Sequence, residues 1–474
     1  MTDWYVNINN TSGTEDGTSE ATGWTDLNDV RANYWGTASG ITGGDRLFIK
    51  AGESGATYDI IGSNVYFSTD ENNMTLDGVG TMRVPIEIIG YPFDGTTSDI
   101  PMNDDRPLIY LGRNNGSSFY IRGGNMCSHL RFYDPGFESD NNSTGGLDIQ
   151  EQGTVLRNCS VIRANNSSIG NRSVAFSAGY NCDIRACEVE DLMTSANWPT
   201  RDPDYNINFV AFSGVDMKGC VFKQQTPSYF FRWRNRYGAE RFENCIFIGN
   251  DNSLGVLEAD STSYLNGYSS VIFDNCVFYN MGTAFKLPIP TAIGNAATDT
   301  EAEWRNYHSR IQFNNCIFES NTKAIEVPSY TDPSGWLSGD FYLDHFVYLK
   351  NCVFAQNTTD IDGTVINENP IYASGSVFRD AANGDFRLNS TSGAGALVQS
   401  KLPNFEYNMI LSGNQLLQDG ALNKFVESVS QLSVATSDFD SSLALNSTIT
   451  FEGSGKTWIL ASKPKNGIPV FRRA

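Results

Sequence analysis

Three stretches of this 474-residue chain carry acids and bases at similar offsets from a recurring cysteine. Arg201, Asp202 and Asp204 lie 14, 15 and 17 residues beyond Cys187. Arg232 and Arg234 lie 12 and 14 beyond Cys220, and Glu258 and Asp260 lie 13 and 15 beyond Cys245. If the stretches stack, carboxylates flank a basic strand on one face. Carboxylates two strands apart are separated by roughly 10 Å of backbone. That approaches the roughly 6.5–9.5 Å between the acid and base of an inverting glycosidase. Asp202, Asp204, Glu258 and Asp260 are therefore candidate catalytic groups. Arg201, Arg232, Arg234 and Arg236 can pair with acidic sugars. Trp198, Trp233 and Tyr237 offer rings on which a sugar can stack. Within Tyr229–Arg234, alternation puts Tyr229, Phe231 and Trp233 on one side and Phe230, Arg232 and Arg234 on the other. The same charges also serve as ordinary surface ion pairs, worth about 1 kcal/mol or less each.

What must position these residues is a repeat. The segments Leu156-Arg-Asn-Cys-Ser-Val, Phe242-Glu-Asn-Cys-Ile-Phe, Phe273-Asp-Asn-Cys-Val-Phe, Phe313-Asn-Asn-Cys-Ile-Phe and Leu349-Lys-Asn-Cys-Val-Phe are copies of one unit. Weaker copies stand at Ile184-Arg-Ala-Cys-Glu-Val and Met217-Lys-Gly-Cys-Val-Phe. Met126-Cys127 opens the series, and Gly375-Ser-Val-Phe378 closes it with Ser376 in the cysteine place. Repeats of 20–50 residues signal a solenoid, a propeller or an array. Each copy alternates like a strand and lacks a helical stripe. Phe242 and Cys245 are three apart, so strict alternation cannot turn both inward, and a corner must lie between them. Asn tolerates the left-handed conformation of sharp corners. Strand, Asn corner, strand is one coil of a parallel β-helix. Stacked coils would align Cys159, Cys187, Cys220, Cys245, Cys276, Cys316 and Cys352 in one ladder. Asn244, Asn275, Asn315 and Asn351 would form a second ladder.

Composition supports an all-β chain and removes several functions. Gly, Asn, Ser and Thr dominate the polar residues and depress helix formation. The net charge is −21 and the pI about 4.5. Such a surface repels nucleic acid and anionic membranes. No apolar run reaches the roughly 18–20 residues of a membrane helix. The opening MTDWYVNINN lacks the regions of a secretory signal, so synthesis in a cytoplasm without export is expected. Nine cysteines form no CxxC pair, and His129, His308 and His345 are far apart. Neither a disulfide framework nor a metal site is expected, and no cofactor is implied. Buried free thiols fit better. Gly453-Ser-Gly-Lys-Thr457 imitates a phosphate loop, but Thr450 replaces the leading glycine and a strand follows, so it reads as a turn.

Three further features complete the pattern. Trp24–Trp35 reads as a short cap helix with Leu27, Val30 and Tyr34 on one face and Thr25 as N-cap. Asp45–Lys50, Val84–Tyr91 and Arg106–Leu111 read as the first strands. Asp385-Phe-Arg-Leu-Asn389 reads as part of a last coil. The arrangement resembles the right-handed parallel β-helix superfamily, the pectate-lyase-like proteins, over residues 1–400. These motifs are specific for fold and weak for function. The superfamily includes lyases and hydrolases of acidic polysaccharides and bacteriophage tailspikes that bind or cleave host glycans. Its lyases use a calcium-binding acidic set that has no residue-by-residue match here.

The expected organisation is a strand and cap helix over 1–44, a β-helix over 45–400 and a small capping, oligomerisation or attachment region over 401–474. In that last region a helix is expected around Leu422–Val429. Ser447–Phe451 and Thr457–Ala461 should form a hairpin. The resemblance implies a virion protein of tailspike type, a homotrimer that contacts other virion proteins and a bacterial surface glycan. The alternatives are an extracellular lyase or glycoside hydrolase and a non-enzymatic decoration protein or adhesin.

Overall fold

The computed structural model describes residues 2–35, 40–60, 65–67, 85–97, 101, 105–111, 119–134, 146–149, 153–163, 176–192, 210–224, 229–233, 240–250, 254–259, 270–286, 310–327, 346–389, 393–402, 409–412, 415–418, 422–423, 431–434, 448–450, 457–462 and 470–473. Among them run a 20-stranded and an 11-stranded sheet of parallel strands. The larger sheet divides into two faces, because the long strands Phe176–Arg185 and Val210–Lys218 each pass from one to the other. The chain therefore winds round three faces. Met126–Ser128 on the first face leads to Arg131–Asp134 on the second, then to Leu147–Ile149 on the third and back to Val155–Arg157 on the first. This is a parallel β-helix.

The turn from the first face to the second is the Asn corner. His129, Asn158, Ala186, Asn244, Asn275, Asn315, Asn351 and Asn369 all have φ between 48 and 61°, and Gly219 has 61°. Each corner N–H donates to the carbonyl just before the next corner, as Asn275 N does to Asn314 O at 2.9 Å. Asn351 Nδ2 donates to Asn315 Oδ1 at 3.1 Å, so the asparagine ladder is bonded through its side chains there. Alanine gains nothing from this conformation. Ala186→Gly should therefore raise stability by about 0.5–1 kcal/mol, read as a higher urea midpoint.

Seven of these corners are followed by a cysteine that points into the core. Cys187, Cys220, Cys245, Cys276, Cys316 and Cys352 donate Sγ–H to carbonyls of the preceding coil, between 3.3 and 3.7 Å. All nine cysteines are free and buried. Burial pushes the thiols of Cys187, Cys220, Cys276 and Cys352 well above their usual range. Two members of the expected series belong elsewhere. Cys127 pairs in register with Leu156, three residues before the corner cysteine, and Leu130 occupies the cysteine place. In the last coil Asn369 makes the corner, and Ile371 pairs with Val353, so Pro370 stands there and Ser376 does not.

Beside the cysteines runs a column of rings. Phe222, Phe247, Phe278, Phe318 and Phe354 stack with centroids 4.7–5.5 Å apart. A second column, Phe242, Phe273 and Phe313, meets it edge-on.

The cap is tighter than expected. Leu27–Asp29 is α-helical and Val30–Tyr34 continues as a π turn. Asp26, not Thr25, is the N-cap, because its carboxylate accepts from Asn28 N. Thr25 is instead held by Glu15. Leu27 and Val30 are fully buried over the open N-terminal end.

Parallel stacking ends with Ile371–Ala373. Asp385–Leu388 is not a further coil: it pairs antiparallel with Phe378–Asp380 and opens a 9-stranded sheet. The hairpin of Thr448–Thr450 with Thr457–Ser462 lies in that sheet. Leu422–Asn423, expected to begin a helix, is a strand between Gln418 and Val434. Residues 424–429 of the expected helix lie outside the described residues.

Outside the second face, Val221, Ile246, Val277, Ile317, Val353 and Ile371 form an apolar row. Val377, Phe378, Phe386, Leu388, Val398 and Leu402 cover it. Glu319 fastens this cover by accepting from Ser376 Oγ at 2.5 Å and Val377 N at 2.9 Å.

Candidate functional site

The expected site falls on the third face and the connections around it. Trp198, Arg201, Asp202, Asp204, Arg234, Arg236, Tyr237 and Asp260 lie outside the described residues. Arg232 and Glu258 lie within strands, and the register sets them opposite each other on adjacent coils. Their row reads Tyr120, Asp148, Ser177, Ala211, Arg232, Glu258. At its described end Arg122 lies over the Tyr120 ring at 4.8 Å and pairs with Asp148 at 3.6 Å.

Trp233 lies in the same strand, Tyr229–Trp233. It shares a row with Ile121, Ile149, Ala178 and Phe212. Ile121, Ile149 and Ala178 are buried at 3% exposure or less.

Sequence offsets from the cysteines passed over a second group on the first face. Two outward rows run side by side there. One reads Asp183, Asp216, Arg241 and the other Arg157, Arg185, Lys218, Glu243, Asp274. Period two puts Asp183 and Asp216 on the side opposite the buried Ile184 and Met217. Most of these charges are spent on neighbours. Arg185 Nε donates to both Asp183 oxygens at 2.9 Å. Arg241 pairs with Asp274 at 2.8 Å, and Lys218 with Glu243 at 3.4 Å. Asp216 is exposed and makes no hydrogen bond or ion pair among the described residues. Its charge helps hold the Arg241 guanidinium protonated, behind the larger effects of Asp274 and Glu243. Asp183 and Asp216 are one coil apart, about 4.8 Å at the backbone. That is close to the roughly 5–5.5 Å of a retaining glycosidase pair. The signal was in the sequence: both stand four residues before a corner cysteine, Cys187 and Cys220.

Two buried acids lie near these rows. Glu240 sits in the inward row between Val215 and Val271, and it accepts only a 3.4 Å bond from Gly214 N among the described residues. Burial holds its carboxyl well above the usual range. Glu188 is buried outside the second face, 3.6 Å from Arg106. Burial pushes it up to about 7, and the neighbouring Arg106 and Lys223 only partly offset that. Arg106 also donates to Asn158 Oδ1 at 3.3 Å, and Asn158 bonds His129 Nδ1 at 2.7 Å. Burial lowers His129 to about 4, so its ring is neutral. Among the described residues no group of three or more acids, cysteines or histidines is arranged to hold a metal. No helix of the described residues is long and apolar enough to cross a membrane.

No protein-family profile matches the chain, and no curated protein does. Among solved structures it is similar to pectate lyase Pel9A, at 14% identity and a TM-score of 0.44 over 83% of this chain and 90% of that one. It is also similar to ORF18 of Geobacillus virus E2, at 12% identity and 0.37 over 99% and 86%. A third is a mannuronic acid specific polysaccharide family 6 lyase from human gut microbiota, at 11% and 0.33 over 76% and 83%. The β-helix itself rests on the sheet topology described above.

Proposed function

We propose that the chain is a bacteriophage virion protein of tailspike or receptor-binding type that recognises a bacterial surface polysaccharide. The carrying observation is the exposed carboxylate Asp216, aligned in register between Asp183 and Arg241 on a flat face. Carboxylates and guanidinium groups on a rigid sheet suit the repeated hydroxyls and acids of a long glycan. On the third face the register sets Arg232 beside Glu258, and we take that pair as a second contact for the glycan. The particle assignment rests on the resemblance of the Asn-Cys coils to tailspikes, and with it the homotrimer, the virion partners and the location on a particle.

The test is binding of purified host capsule or lipopolysaccharide by titration calorimetry. Asp216→Asn and Arg232→Ala should each weaken binding about tenfold or more, the value of a charge-assisted hydrogen bond. Unchanged affinity in both variants removes these faces as the glycan site. Absence of the protein from purified particles, read by mass spectrometry, removes the virion assignment.

A second reading, depolymerase activity, draws on the spacing of Asp183 and Asp216. New reducing ends would mark a hydrolase, and unsaturated products a lyase. Loss of cleavage in Asp216→Asn with binding retained would place Asp216 in the chemistry.

A further inference from the structure

The thiols take no part in glycan recognition, yet seven of them stand in one column. Cys159, Cys187, Cys220, Cys245, Cys276, Cys316 and Cys352 lie on successive coils, each at 1% exposure or less. The backbone sets them in register. From Cys187 on, the residue after each cysteine donates its N–H to the carbonyl of the cysteine one coil earlier. Glu188 N reaches Cys159 O at 2.9 Å, and Val353 N reaches Cys316 O at 2.8 Å. Adjacent rungs are therefore about 4.8 Å apart at the backbone. That lies within the roughly 4.4–6.8 Å between the Cα atoms of a disulfide. The side chains lean the same way. Cys352 Sγ donates to Phe313 O of the preceding coil at 3.3 Å, three residues before Cys316. The thiols of Cys276 and Cys352 both hydrogen-bond Cys316. The two remaining cysteines have other row partners: Cys182 pairs in register with Val215, and Cys127 with Leu156.

We propose that this column is a latent set of inter-coil disulfides, closed between adjacent rungs by a small-molecule disulfide such as oxidised glutathione. One cysteine thiolate attacks that disulfide, forms a mixed disulfide and releases one small thiol. The thiolate of the next rung attacks the protein sulfur of the mixed disulfide and displaces the second small thiol. Two cysteines are oxidised to one disulfide, one small disulfide is reduced to two thiols, and the two cysteine protons end on those thiols. In a closed coil the sulfurs are shielded, and buried structural thiols are inert. Coils of a solenoid couple mainly to their neighbours and open locally, so the reaction follows the opening of a coil. The result is a lock. A reduced chain can lose its coils one at a time, whereas each link ties a coil to the one before it and restricts the unfolded chain.

The test uses the reduced full-length chain, held with or without oxidised glutathione in urea below its unfolding midpoint. The products are alkylated and mapped by mass spectrometry without reduction. Links within the column should join adjacent rungs only, and their yield should rise with urea. The oxidised chain should have a higher urea midpoint than the reduced one. Cys182 should stay free or carry only glutathione. Cys245→Ala combined with Cys316→Ala sharpens the test. Cys276 is then two rungs, about 10 Å, from Cys220 on one side and Cys352 on the other. That exceeds the roughly 7 Å that a disulfide spans. Cys276 and Cys352 should therefore form no link in this variant, while Cys159, Cys187 and Cys220 still do. Thiols that remain alkylatable at every urea concentration below the midpoint would overturn the proposal. So would glutathione adducts alone, links between distant rungs or between chains, an unchanged midpoint, or a linked Cys276 in the double variant. Mapping of the unmodified chain decides the matter even if the double variant does not fold. The links are read within one chain, so the outcome depends neither on oligomeric state nor on glycan binding.

Discussion

Phe278→Ala should lower the free energy of unfolding by about 3–5 kcal/mol, the cost of deleting a well-packed buried ring. Phe278 stacks between Phe247 at 4.7 Å and Phe318 at 4.9 Å, and Phe273 and Phe313 meet its edge. Its neighbours above and below are held by backbone ladders one strand spacing apart. They cannot close on the gap, so most of the cavity should persist. Phe278→Leu retains more volume and should cost less than the alanine variant. Because repeats couple mainly to their neighbours, the loss should appear first as faster hydrogen exchange in Val277–Tyr279 and the coils on either side. Urea unfolding checks the magnitude. A loss below about 1 kcal/mol would show that the column is not tightly packed.

The second large effect is a loss of stability as pH rises through neutrality. Glu188 is pushed up to about 7 by burial, against an ordinary value of 4.5. A carboxyl whose folded pKa is raised binds its proton more tightly when folded. Its contribution is therefore fully present below the unfolded pKa and is lost as pH climbs to and past 7. The full span corresponds to about 3 kcal/mol at 1.36 kcal/mol per unit. Glu188→Gln keeps the shape and cannot ionise, so its urea midpoint should fall less than that of the unmodified protein between pH 5 and 8. Glu240, also raised by burial, contributes with the same sign in both proteins. If Glu188→Gln and the unmodified protein follow the same pH curve, the pairing of Arg106 with Glu188 outweighs burial.

Much of the coil was legible in the sequence because its signal is local. Asn244, Cys245 and Phe247 are neighbours, so corner, inward thiol and inward ring follow from one short motif. What depends on distant partners was harder to read. Cys127 has the right residue type in the wrong row, because the corner of its coil is His129 and the inward place after it is Leu130. Ser376 was misplaced because Asn369-Pro370 supplies the last corner without a cysteine. The carboxylate pair of Asp183 and Asp216 stands before the corner, where offsets counted beyond the cysteines do not reach. Offsets across connections of unequal length drift, whereas the four residues before a corner cannot. Arg232 and Glu258 illustrate the limit, since their offsets differ by one residue although the register aligns them.

The cap buried at Leu27 and Val30, with Tyr372 standing 57% exposed beyond Phe354, also implies an order of construction. The cap and opening strands leave the ribosome first and provide a finished edge. Each later coil can then zip onto the edge already laid down, with its left-handed corner setting the register. The advancing rung is the only one whose thiol and ring lack cover above them. Exposure to oxidants and to sticky contacts is thus restricted to a single moving layer, and a chain halted at any corner would carry the same bare face that the mature protein keeps at Tyr372.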